Sequence, residues 1–543
     1  MNARTSSFNE TRLKIWFCAA WLLAAVLALF HAWMLHRLVV NFPFQDDFTQ
    51  LLTVPGDVDD IRSLGAKIAY LLASSGDHRV ITLRLAALFQ AKVLGEINFR
   101  ALVFFGNLLC AATGLLVLSA ARAPVRPWLA PLIAALLFSP TNWLPQYWAS
   151  AALQHYSVLA YAFGALFCLN RQGIAWQAGG LVLGLCAAMT GANGLMVLPV
   201  GAALLYGLGR RRTSALWIGL TILIFAVYFI DYRPPPGRAP PLDSLQHPLT
   251  LLVLFVCTLG SLAESFDYAV AIGTILIAAW AWLIGSSRAR GIPPILLAWM
   301  GFLLLCVGTI AFGRAPFGSE AILNSRYRIY SEMTIIVTVI AVLWRTRAWQ
   351  TKLLLTILLP VIGVWFGRSW ESNLPALADL LTQQRTSLTH YALTGQGIYR
   401  GFPPQDATDD LLKRAYDDGY FRPVRASHSG AILIETDSLP VQTGSLGLWT
   451  EAPILDATTI TVRGFAHVNE PDPILVWLEG GSHLFQGRLQ TQRIINPAGA
   501  DWMIFWNTLL RPGVAPGGYR VGYSSGDANP PVVDWGSNLL EIK

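Results

Sequence analysis

Residues 19–30, 129–138, 216–230 and 353–366 contain no charged side chain, and several further stretches are nearly as apolar. Runs of this length could not stay exposed to water, and they are too many for one soluble core. Hydrophobic residues make up 54% of the chain and charged residues only 13%, far from a soluble average. The chain therefore reads as a polytopic α-helical membrane protein. At 543 residues it is also long enough for more than one folding unit.

The formal charge of +7 would suit a nucleic-acid binder, but its distribution speaks for topology. Arg122 and Arg126, Arg171, Arg210 to Arg212, Arg288 and Arg290, and Arg345, Arg347 and Lys352 sit in short loops between apolar runs. That is the positive-inside pattern. Counting spans under this constraint gives 15–35, 99–121, 128–139, 153–170, 176–190, 194–208, 215–231, 269–284, 295–312, 331–344 and 352–366. About eleven crossings result, with the N-terminus cytoplasmic and the C-terminus outside. Residues 249–263 are read as re-entrant or surface-lying, because a further crossing would invert the charge bias. The first run is long and lacks a small-residue cleavage site, so it reads as an uncleaved anchor.

The long first outer loop, 36–98, carries the most suggestive polar residues. It opens on Asn41-Phe42-Pro43-Phe44-Gln45-Asp46-Asp47-Phe48, two adjacent carboxylates among aromatic side chains at the bilayer surface. Such surroundings raise the cost of ionising both acids, which suits a general base or a cation ligand. The bland reading is a solvated loop with one Asp as a helix N-cap. An amphipathic helix is expected over 57–72, then Gly76-Asp77-His78-Arg79 and a second partly apolar helix carrying Arg84. The turn Thr190-Gly191-Ala192-Asn193-Gly194 divides one long apolar stretch into two helices.

A later outer loop contains Arg314, Arg326, Tyr327 and Arg328. Cations on that side violate the charge rule, and an anionic ligand is a natural reason; contact with lipid phosphates is the plain alternative. In this topology Asp46, Asp47, Asp77, His78, Arg79, Arg84, Arg314, Arg326 and Tyr327 all lie on the outer face. Arginines would hold a phosphate while a carboxylate takes a proton from an acceptor hydroxyl. His78 reads equally well as a phosphate ligand and as a structural histidine.

After residue 366 the composition turns polar. One helix is expected at 406–420 within an extracytoplasmic linker, 367–429. From about residue 431, alternating segments such as 459–465, 474–478, 502–506 and 519–523 are punctuated by Gly, Pro, Asn and Asp. They predict a C-terminal extracytoplasmic β-sandwich-like domain over 430–543. The transmembrane domain itself is assigned to 1–366.

With Gln45-Asp46-Asp47-Phe48 following the first span, two surface helices in the same loop, many spans and an outer C-terminal domain, the chain resembles membrane glycosyltransferases of the GT-C superfamily. The resemblance implies an inverting transfer of a sugar from a polyprenyl-phosphate donor to a glycan, lipid or protein acceptor. It places the protein in a bacterial cytoplasmic (inner) membrane and implies that Asp46 or Asp47 is the base. Some members require a divalent cation, Mg²⁺ or Mn²⁺, held by several acids, while others rely on cationic side chains; the arginines here point to the metal-free form. A transporter or flippase for lipid-linked saccharides, a ligase or polymerase acting on them, and a non-catalytic assembly protein are the alternatives.

Other chemistries find no support. Cys18, Cys110, Cys168, Cys186, Cys257 and Cys306 all lie in apolar segments, against a disulfide framework, a zinc site or a thiol nucleophile. No phosphate-binding Gly-Lys-Ser/Thr loop, Gly-x-Gly-x-x-Gly, His-Glu-x-x-His or Cys-x-x-Cys is present.

Overall fold

The computed structural model describes residues 2–76, 78–230, 241–285, 291–394 and 405–422, together with strands between 431 and 542. Two compact units emerge: residues 1–388 with 397–422, and residues 389–396 with 423–543. Eight helices in the described residues are long and apolar enough to cross a membrane, and three shorter apolar ones accompany them. The protein is thus a multi-pass helical membrane protein.

Several elements differ from their sequence expectation for physical reasons. The expected span at 128–139 is Arg126–Leu137, only about 18 Å long at 1.5 Å per residue. Pro140 and Pro145 break the chain that follows into short turns through Trp143–Tyr147. The last helix does not stop near residue 366 but runs on through Ala348–Thr394, about 70 Å. Most of the expected linker is therefore helix, and the compact unit takes in 367–388 and 397–422.

Helix Pro248–Leu259 is too short to cross and is followed by the helix Phe266–Gly285. The two touch backbone to backbone. A Cβ on Gly260 would lie 2.0 Å from the Ala269 carbonyl oxygen, and one on Gly273 would lie 2.0 Å from that of Val256. Only glycine permits so close an approach.

The loop 36–98 holds two helices where one amphipathic helix was expected, Val54–Asp60 and Leu64–Leu72. Ser63 separates them: its hydroxyl accepts from Ala66 N at 3.2 Å and caps the second. Tyr70 then folds back to donate to Asp57 at 2.8 Å. Leu64, Ile68, Leu85, Phe89, Val93 and Leu94 of this loop are exposed, the pattern of helices lying in a membrane interface.

Helix Gln405–Asp417 docks on the same loop. Arg414 reaches Asp57 at 2.9 Å and Asp60 at 2.8 Å, and Lys92 pairs with Asp59 at 2.6 Å. Ile97 N donates to Tyr420 O at 2.7 Å. Beneath these ion pairs Phe421 is fully buried and packs on Phe42 and Phe99.

In the second unit, the segments expected as strands lie in two six-stranded sheets, largely antiparallel. One sheet includes Leu475–Gly480, His483–Arg488, Gly517–Ser524 and Val532–Ile542; the other includes Thr459–His467, Gln490–Ile494 and Trp502–Leu510. Ile460 and Val462 of one sheet share a core with Val476, Leu478, Val521 and Tyr523 of the other.

Exposed ion pairs contribute about 0–1 kcal/mol, whereas truncating a buried Phe costs about 3–5 kcal/mol. Phe421→Ala is therefore expected to detach the 405–421 helix from the first loop, and Arg414→Ala to leave it docked. Limited proteolysis of the purified protein, read as cleavage within 395–422, distinguishes the two.

Candidate functional site

Asp47 is the fixed point of the site. Its side chain is buried, and every partner donates to it: Phe44 N at 3.0 Å on Oδ2, and Trp148 Nε1 at 3.1 Å, Ser150 N at 2.7 Å and the Ser150 hydroxyl on Oδ1. Trp148 Nε1 also donates to Phe44 O at 2.9 Å, and the two rings meet edge to face. Burial pushes the Asp47 carboxyl up to about 7, against the pull of those donors. Asp47 thereby orders the loop, its Oδ1 taking three donors and its Oδ2 one.

Asp46 differs in every respect. No hydrogen bond reaches its carboxylate among the described residues, and it is only partly buried. Burial raises its affinity for a proton, while the guanidiniums of Arg326 and Arg314 oppose that rise. The preceding residue, Gln45, has φ of 45°, a left-handed conformation that costs a non-glycine residue about 1–3 kcal/mol. The strain turns the chain so that Asp47 points inward and its neighbour Asp46 faces the arginines.

Arg314 and Arg326 approach from the ends of two helices, Pro294–Arg314 and Ser325–Arg345. Both lie over the ring of Tyr327, at 5.7 and 5.1 Å from its centroid. Neither guanidinium donates a hydrogen bond among the described residues, and Arg326 Nε is buried without a partner. Two cations thus converge with open donors, a cost that a bound anion would remove. His78 lies within range of both guanidiniums. Burial and the two guanidiniums hold it down to about 4, so it is neutral at physiological pH and offers an N–H or a lone pair. Ala192 N donates to its Nδ1 at 3.4 Å.

Behind Tyr327 stands a polar wall. His155 meets Tyr327 edge to face at 5.7 Å and Tyr330 at 6.0 Å, with 3.5 Å between His155 Nδ1 and Tyr330 Oη. Asn193 donates to the same hydroxyl at 3.4 Å and accepts from Thr309 at 2.9 Å. Sequence reasoning missed His155, Tyr330, Trp148 and Ser150. The available signal was weak: a histidine interrupting an apolar run, and an Asn in the 190–194 turn.

Two expected ligands are employed elsewhere. Arg79 donates to the carbonyls of Leu72, Val227, Tyr228 and Ile230 and lies over the Tyr228 ring, closing the end of helix Arg211–Phe229. Arg84 donates to the carbonyls of Tyr70, Leu71 and Ala73 at 2.7, 3.1 and 2.6 Å, capping Leu64–Leu72. Arg79 thus has few donors left for a ligand, whereas the Arg84 bonds all leave from one terminal nitrogen and its Nε is buried without a partner among the described residues. Arg328 likewise serves structure, pairing with Glu264 at 3.3 Å and Asn373 at 3.0 Å. Asp77 lies outside the described residues. Among the described residues no three of His, Cys, Asp or Glu converge to hold a metal ion.

No family model, curated protein or solved structure matches this chain.

Because every partner of Asp47 is a donor, Asp47→Asn sets an amide N–H against at least one of them. The cost expected is about 1–3 kcal/mol. A lowered thermal unfolding midpoint in detergent, with partial recovery on Ser150→Ala in the same background, would confirm it. An unchanged midpoint would remove Asp47 from its anchoring role.

Proposed function

We propose that the protein is a membrane glycosyltransferase, taking a sugar from a polyprenyl-phosphate donor on the outer face of the cytoplasmic membrane. The observation that carries this reading is the pairing of Asp46, whose carboxylate takes no hydrogen bond among the described residues, with two guanidiniums that donate none there, Arg314 and Arg326. Such a set suits a reaction that both neutralises a phosphate and removes a proton. The likeness of Gln45-Asp46-Asp47-Phe48 and its loop to the GT-C superfamily supports the same reading.

In this scheme Arg314 and Arg326 bind the phosphate of the donor, and Tyr327 holds both in place. The acceptor hydroxyl oxygen attacks the anomeric carbon, and Asp46 takes its proton. The bond from that carbon to the phosphate oxygen breaks with inversion, and its electron pair leaves on polyprenyl phosphate, stabilised by the two guanidiniums. Asp47 positions Asp46 without touching substrate. His78, neutral and with Nδ1 accepting from Ala192 N, donates its Nε2–H to the donor phosphate or the sugar. A sugar bound to lipid phosphate requires a lateral opening to the bilayer, and the exposed apolar helices of the first loop would border it.

Asp46→Asn is expected to lower transfer of labelled sugar from membrane polyprenyl phosphate by at least about 100-fold while the protein folds normally. Undiminished transfer in that variant would overturn the proposal. A second measurement concerns pH. A base must be deprotonated, so activity rises with pH through the raised pKa of Asp46. Arg326 pulls that pKa down, so Arg326→Gln moves the rising limb to higher pH. A role confined to phosphate binding would raise KM and leave the limb where it was.

A further inference from the structure

Beside the arginines, the same site has an uncharged half made of His155, Asn193, Thr309 and Tyr330. Hydrogen bonds join these four side chains, and each bond fixes the direction of the next. Thr309 donates to Asn193 Oδ1 at 2.9 Å, and Asn193 Nδ2 donates to the Tyr330 hydroxyl at 3.4 Å. That hydroxyl keeps its own proton to give, and His155 Nδ1 lies 3.5 Å away. Accepting there places the imidazole proton on Nε2. His155 Nε2 and the second N–H of Asn193 meet no partner among the described residues. His78 repeats the arrangement: its Nδ1 accepts from Ala192 N, which leaves an N–H on Nε2.

These contacts close into a circuit with the arginines. From Tyr330 they pass through His155 to Tyr327, with 5.7 Å between ring centroids, and from Tyr327 to both guanidiniums. Arg314 and Arg326 lie within electrostatic range of His78 and of His155, and Ala192 leads from His78 back to Asn193. Helix Ile174–Ala188 enters the 190–194 turn after only about 22 Å, less than the roughly 30 Å of a hydrocarbon core. Irregular backbone at that depth is tolerated where it is buried in protein or lines a water-filled cavity. Asn193, Thr309, His78, Arg314 and Arg326 are each partly exposed, so the circuit borders an opening. His155 sits on a π-helical turn, Ala152–Tyr156, an irregularity frequent at functional sites.

A phosphate needs only the cationic half. The other half offers neutral N–H donors and hydroxyls, which a lipid tail cannot use and which hold a second anion poorly. They match a group that bears several hydroxyls and is joined to the phosphate. We propose that His155 and Asn193 read the sugar of the donor lipid, each donating to a sugar oxygen while Arg314 and Arg326 hold its phosphate. The assignment rests on the glycosyltransferase reading and makes these two side chains determinants of which sugar is accepted. A site built to hydrogen-bond a hydroxyl discriminates strongly, because a mismatched sugar leaves buried polar groups unpaired.

The test is calorimetric binding of synthetic probes to the purified full-length protein in detergent. The probes are farnesyl phosphate esterified with glucose, mannose, galactose or arabinose, and methyl farnesyl phosphate, a phosphodiester of equal charge without a sugar. The wild type is expected to bind at least one sugar probe about 10-fold more tightly than the methyl ester. Asn193→Leu and His155→Phe are each expected to lose about 10-fold for that probe while the methyl ester binds as before. Arg326→Gln is expected to weaken both. Equal affinity of the wild type for every probe overturns the proposal, as does an undiminished preference for the sugar in the two variants. Equal weakening of sugar probe and methyl ester assigns the residues a structural role and overturns it as well. If Asn193→Leu does not fold, His155→Phe, which keeps a ring against Tyr327, decides alone. A wild type that binds no probe at all, the methyl ester included, removes the glycosyltransferase reading itself.

Discussion

The buried carboxylate of Asp47 is the interaction on which the first loop and its surroundings depend. It joins the first loop to the segment at 148–150 through donors from both. Without it neither the strained backbone at Gln45 nor the exposure of Asp46 would be held. Two adjacent aspartates thus divide the labour: one is consumed in hydrogen bonds so that the other can remain without them. Burial acts on both, but Asp46 has cations acting on it and, among the described residues, no donor to its carboxylate.

The arginines follow the same division. Arg79 and Arg84 close helix ends, where carbonyls lack intrahelical partners, while Arg314 and Arg326 meet an aromatic ring and, among the described residues, no acceptor. An unpaired guanidinium near the membrane surface is costly, and two of them over one ring repel each other. That arrangement persists because the helix ends at 314 and 325 place them there. It is the kind of local conflict that marks a functional site rather than a structural one.

Much of the frame was legible from the order of apolar runs and basic loops, because membrane insertion imposes that pattern on sequence. The acidic loop at 46–47 was legible too, as paired charge among aromatics. What could not be read was which acid and which arginines are taken up in structural hydrogen bonds. Asp47 is distinguished from Asp46 only by Trp148 and Ser150, distant in sequence, and Arg84 from Arg314 only by helix-end carbonyls within its reach. The long helix through Thr394 was missed because its later turns are polar, and polarity alone does not separate an exposed helix from a linker. Docking of the 405–417 helix on the first loop was invisible for the same reason as the Asp47 contacts: nothing local in either partner announces the other.

The glycine contact between Pro248–Leu259 and Phe266–Gly285 bears on how the chain is made. A helix of twelve residues has too little apolar length to hold a place in the bilayer by itself, so it cannot be inserted as an independent step. Once its successor emerges from the ribosome, the two can enter together as a hairpin with their backbones in contact and their polar turn at one surface. The contact therefore favours insertion of the two helices as one unit. A side chain at Gly260 or Gly273 would then be felt first in biogenesis, as protein failing to reach the membrane, before it could be felt in any property of the finished fold.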